Sequence, residues 1–93
     1  MRDIRIGAGQ FEHRNADKAY NLARIRELTS RAVKLGAEMV SFHECSVSAY
    51  TFVQQFTKKQ LAELAEDVPD GPSTRELIRI AGEFRVPVLA GLV

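Results

Sequence analysis

Apolar and polar positions change period several times along this chain. Ile4, Ile6 and Ala8 alternate with Arg5 and Gly7, the period-two signature of a strand over residues 3–10. The polar run Glu12-His13-Arg14-Asn15 breaks it and predicts a strand-to-helix loop. Leu22, Ile25, Leu28, Ala32 and Leu35 then recur every three or four residues, so they share one helical face. Asn15 or Asp17 can cap that helix by accepting an unpaired amide hydrogen. Gly36 is placed to close it in a left-handed conformation. Met39, Val40 and Phe42 form a second strand over residues 38–43, directly after the helix. Strand, helix and strand with short joints predict two parallel strands and a crossover.

Residues 51–56 show no period that fixes an element. Thr57 and Gln60 have capping-box spacing, with Phe56 and Leu61 at the positions of a hydrophobic staple, so a short helix is expected from Lys58. Val68-Pro69-Asp70-Gly71-Pro72 ends it. Ser73 and Glu76 read as a second capping box, and Leu77, Ile80, Ala81 and Phe84 as the stripe of the helix it starts. Pro87 admits a strand only at its beginning, and Val88 to Val93 is apolar throughout. The order is β-α-β-α-α-β, an α/β class. An apolar strand at the end of the chain needs sheet partners and helical cover. Residues 1–93 are therefore expected to be the amino-terminal part of a larger single domain.

Composition narrows the function classes. Of 93 residues, 45% are apolar and 27% charged, and the net charge is +1, with acids and bases interleaved. Nothing here draws the chain to nucleic acid or an anionic membrane. No run reaches the roughly 20 apolar residues of a membrane span, and the N-terminus lacks the apolar core of a secretory leader. With one Cys there is no internal disulfide framework, and a cytoplasmic location is expected.

The chemistry-bearing stretch is Phe42-His43-Glu44-Cys45. Glu44 falls where the second strand stops, and ligands in α/β sheets gather at the carboxyl ends of strands. It reads either as a catalytic carboxylate or as the first solvated residue after a strand. Strand alternation would turn Glu44 away from His43 and Cys45, so Cys45 reads as a small buried residue, not a nucleophile. His13 reads as a loop residue, and His43 as a structural neighbour of Glu44 or a contact of the site. His13, His43 and Cys45 have no recognised metal-ligand spacing, so no metal is expected. Gly7 and Gly9 lack the context of a phosphate-binding loop.

In their order and spacing these pieces resemble the amino-terminal portion of the nitrilase superfamily, the carbon–nitrogen hydrolases. The resemblance runs through Ala8-Gly9-Gln10, the helix from Ala16 to Leu35, Gly36-Ala37-Glu38-Met39-Val40, Phe42-His43-Glu44, Ser46-Val47-Ser48-Ala49-Tyr50, Gly71-Pro72-Ser73 and the strand from Val86 to Gly91. His43 stands where the family usually has Pro, and Ala49 where it usually has Gly. The resemblance implies an αββα sandwich and a Glu-Lys-Cys site. In it Glu44 is the general base for a Cys thiol, and Lys and Cys follow later than the matched region. It further implies hydrolysis of a non-peptide carbon–nitrogen bond in a small-molecule amide, carbamoyl compound or nitrile. Homo-oligomers are implied, and a cofactor is not. Tyr50 is a candidate substrate contact, and Gln10 a candidate support for Glu44. The alternative is a non-catalytic truncated product or a small α/β binding domain.

Overall fold

The computed structural model describes residues 2–49 and 51–92. The elements are β1 (Ile6–Gly9), α1 (Lys18–Lys34), β2 (Met39–Phe42), a 3₁₀ turn (Thr51–Gln55), α2 (Lys58–Leu64), α3 (Pro72–Phe84) and β3 (Val88–Leu89). The strands form one parallel sheet in the order β1-β2-β3, so the Met-Val-Ser-Phe strand is central. The expected β-α-β-α-α-β order is present, with the 3₁₀ turn filling the stretch that had no readable period.

Every strand is shorter than the apolar pattern suggested. β3 pairs only through Val40↔Val88 and Ser41↔Leu89, and its apolar continuation leaves the ladder. Pro87 contributes its carbonyl, which accepts the Val40 N–H at 3.0 Å. Four residues after Pro87 the Gly91 carbonyl accepts from Val47 in a loop, not from a strand. Apolar sequence is necessary for a buried strand but does not set where pairing stops.

The sheet has two unlike faces. Val40 and Phe42 point into a core shared with Ile25 of α1, Ile80 of α3, Ala37, Val47 and Val86. Gly7 lies on this side of β1. A Cβ there would sit 3.0 Å from the Ala32 Cβ, so its missing side chain lets strand and helix approach closely. Register places Ile6, Ala8, Met39, Ser41 and Leu89 on the opposite face. There Ile6 is 55% and Leu89 49% exposed, and no helix among the described residues covers them.

The caps match the sequence at two helices and depart from it at the third. Asp17 caps α1 by accepting from Tyr20 N, and Gly36 takes φ 92 just beyond the helix. Thr57 and Gln60 form both halves of a capping box on α2. The second capping box, Ser73 with Glu76, is not formed. Gly71 is the N-cap of α3, with Pro72 at its first position. The first-turn donors go to Glu66 instead, which accepts the Ser73 N–H at 2.7 Å and the Ser73 Oγ–H at 2.5 Å. Pro at the first helical position fixes φ and lacks a donor, which moves the helix start ahead of Ser73.

Glu66 also receives the Lys18 Nζ at 2.5 Å, and Lys18 donates to the Leu64 carbonyl as well. This nearly buried carboxylate thus joins the start of α1, the end of α2 and the start of α3. Burial alone pushes the Glu66 carboxyl up, but the Lys18 ammonium and the two Ser73 donors outweigh it, and the group sits below its ordinary value. A lowered carboxyl stabilises the fold above its unfolded pKa, and that contribution is lost as pH falls through the folded one. We expect Glu66→Gln to be about 1–3 kcal/mol less stable than the parent at neutral pH. The gap should close below the ordinary carboxylate range, where Glu66 itself is neutral. Urea unfolding of both chains across that range measures it, and a gap independent of pH would contradict the ion-pair account.

Candidate active site

Glu44 is the first residue after the end of β2 apart from His43, and it opens a turn over residues 44–48. Ser46, Val47 and Ser48 in this turn, and Ala49 just after it, are all fully buried. Glu44 itself is exposed. Glu44 projects past the last paired residue, where the described residues leave the strand end open.

A buried loop must satisfy its backbone groups internally, and this one does so with both neighbouring segments. The Ala49 N–H donates to the Cys45 carbonyl at 2.8 Å, closing the turn. The Ser48 carbonyl accepts the Ala16 N–H at 2.9 Å. The Val47 N–H donates to the Gly91 carbonyl at 3.0 Å. The Val47 carbonyl accepts from Asn21 Nδ2 at 2.7 Å. Asn21, fully buried on α1, also donates to the Arg14 carbonyl and accepts the Arg14 N–H, both at 2.8 Å. The loop after β1, the Glu44 turn and the segment after β3 are thus one hydrogen-bonded unit at one end of the sheet.

The turn is built with left-handed residues. Cys45 has φ 47 and Ala49 φ 64. A left-handed conformation costs an L-residue about 1–2 kcal/mol that glycine avoids, which gives a physical reason for glycine at position 49 in the family the sequence resembles. Gly91 is tight for another reason: a Cβ there would lie 2.8 Å from the Cys45 amide nitrogen.

Two imidazoles meet at the end of β2, one of them from His43, the residue before Glu44. His13 Nδ1 and His43 Nε2 are 2.9 Å apart, with the ring planes at 25° and the centroids at 5.1 Å. Phe11 meets His43 edge-on, with centroids 4.9 Å apart. Gln10, Phe11, Glu12, His13 and His43 together line a shallow depression. Burial, and secondarily the neighbouring His13, lower the His43 pKa, while the backbone of Gly9 acts in the opposite sense. Burial, and then the Glu44 charge, raise the Cys45 thiol. A thiol held in its protonated form is a poor nucleophile, although Cys45 is only half-buried, less enclosed than the buried residue its sequence context suggests.

Gln10 is exposed and makes no hydrogen bond to Glu44 among the described residues. Tyr50, the candidate substrate contact, lies outside the described residues. Nearby, Phe52 packs edge-on against Phe56 at 5.0 Å. No group of three or more His, Cys, Asp or Glu among the described residues is arranged to hold a metal. Asn21 and the His13–His43 contact were not foreseen. Asn21 did leave a signal: it sits four residues before Ile25, on the apolar stripe of α1, where an amide must find partners.

An exposed carboxylate on a pinned turn at the end of a central strand can take a proton from a group presented to that end of the sheet. Comparison with known proteins bears on this directly. The carbon–nitrogen hydrolase family model matches residues 5–93. No curated protein matches the chain.

Proposed function

Since the chain belongs to the carbon–nitrogen hydrolase family, we propose that it supplies the general base of a Glu-Lys-Cys hydrolase and that this base is Glu44. What carries the reading is the family match together with the place of Glu44, on a turn anchored from both sides at the carboxyl end of the central strand. Glu44 takes the proton from a Cys thiol, and the thiolate attacks the carbon of an amide, carbamoyl group or nitrile. A Lys stabilises the charge that develops on the substrate. From an amide or carbamoyl group, ammonia or an amine departs with the proton that Glu44 took up and leaves a thioester, whereas a nitrile gives a thioimidate that adds water before it loses ammonia. Water deprotonated by Glu44 then releases the acid and restores the thiol. Amide and carbamoyl substrates are preferred over nitriles, the reaction takes place in the cytoplasm, and no cofactor enters it.

On this reading residues 1–93 are the first part of one hydrolase domain. The nucleophilic Cys and the Lys come from outside them, and Cys45, with its raised pKa, serves no nucleophilic role. The open sheet face of Ile6 and Leu89 then receives the second sheet of an αββα sandwich, and whole molecules associate into homo-oligomers. The test is ammonia release from a panel of small amides, carbamoyl compounds and nitriles. The 93-residue chain should release none, and a polypeptide that continues it through the Lys and Cys should turn over. Hydrolysis by the 93-residue chain alone, abolished by Glu44→Ala, would refute the division of the site.

A further inference from the structure

The imidazole pair at the end of β2 meets across one short contact. His13 Nδ1 and His43 Nε2 are 2.9 Å apart, so one ring donates and the other accepts. His43 Nδ1 is buried and has no hydrogen-bond partner among the described residues. One added proton strengthens the bond, because a charged imidazole donates to a neutral one. A second would put donors on both sides of the same contact and two like charges 2.9 Å apart.

We propose that His13 and His43 form a positioning pair that clamps the loop after β1 onto the strand end bearing Glu44, and that a second proton opens the clamp. The positioning part rests on the reading of Glu44 as general base. The clamp itself rests only on the contact. His43 adjoins Glu44 in the chain, so its ring position constrains where the carboxylate-bearing turn begins. Phe11 packs on the same ring, and the loop continues through Arg14 and Ala16 into the bonds to Asn21 and Ser48. Glu12 lines the same depression, and Glu44 and Cys45 follow His43 in the chain. The 2.9 Å contact brings the two rings together directly, so no carboxylate stands between them to relieve a second proton.

The test is nitrogen-15 and proton NMR of the imidazoles in the 93-residue chain, titrated into acid, beside His13→Gln and His13→Phe. In the parent, the rings should titrate in two coupled steps separated by more than about one pH unit. The amide signals of residues 44–48 should follow the second step. His13→Gln, whose side-chain amide can still donate to His43 Nε2, should keep the neutral-pH signals of that turn and lose the second step. His13→Phe should shift the turn at every pH. Independent titration of the two rings, or a turn that ignores the second step, overturns the clamp. In the active polypeptide, the acid limb of kcat should move in His13→Gln with KM little changed. A clamp that titrates as described while Glu44→Gln retains full activity overturns the positioning role and the base assignment, but not the contact.

Discussion

In the active polypeptide, Glu44→Gln is expected to lower carbon–nitrogen hydrolysis by about 10²–10⁴-fold, the range that a positioned general base contributes. The variant is nearly isosteric, and the carboxylate it replaces is exposed and makes no hydrogen bond among the described residues. Stability should therefore stay within about 0.5 kcal/mol of the parent, as for other surface substitutions. The loss should fall on kcat, because an amide cannot take up the thiol proton but fills the same space against substrate. Glu44→Asp separates chemistry from placement. It keeps the acid and withdraws it by one methylene from a turn whose backbone is held by Ala16, Asn21 and Gly91. An intermediate loss is expected, since misplacement of about 1 Å costs up to 10²-fold. Steady-state ammonia release and urea unfolding of the three proteins decide it. A Gln variant as fast as the parent would remove Glu44 from the reaction.

The strand end that carries Glu44 could be read from sequence because its signal is local. Met39, Val40 and Phe42 make an apolar run, the run stops, and an acid stands at the stop. Helix limits were legible for the same reason. Asp17, Thr57 and Gly36 each act on backbone groups within three or four residues, and each acts as its type and spacing indicate. The α3 start was misplaced because its capping partner is Glu66, brought to Ser73 through a turn in the chain and not through helical spacing. Strand ends were too long because pairing depends on the neighbouring strand: Leu92 is as apolar as Leu89, but it has no register partner. The environment of Glu44 was the least legible part. His13 and His43 are thirty residues apart, and nothing in either local pattern indicates that two short loops leave the same end of the sheet. Parallel topology supplies that information. It puts the carboxyl ends of β1, β2 and β3 side by side, so the loops that follow them must meet.

Asn21 is where that meeting is most costly to disturb. Asn21→Leu is expected to destabilise the chain by about 2–4 kcal/mol, a large share of the roughly 5–15 kcal/mol that holds a domain folded. The side chain is fully buried and its three hydrogen bonds leave α1 for two different segments. Leucine conserves much of the volume, so packing loss is the smaller effect. The larger one is the Val47 carbonyl, buried and stripped of its amide donor. Arg14 lies in an exposed loop, where water can replace what its backbone loses. Asn21→Asp should fare no better. It keeps the acceptor for the Arg14 N–H but turns an oxygen toward the carbonyls of Arg14 and Val47, which need donors. Thr29→Val provides the contrast, since that equally buried hydroxyl bonds only to the Ile25 carbonyl within the same helix. No second segment depends on it, and a loss under about 1.5 kcal/mol is expected. Urea midpoints of the four chains measure the ranking. If Asn21→Leu proves as mild as Thr29→Val, the Glu44 turn does not rely on α1 for its shape. If the ranking holds, Asn21→Leu in the active polypeptide should also lose activity under conditions where it remains folded, because the turn it releases carries the proposed base.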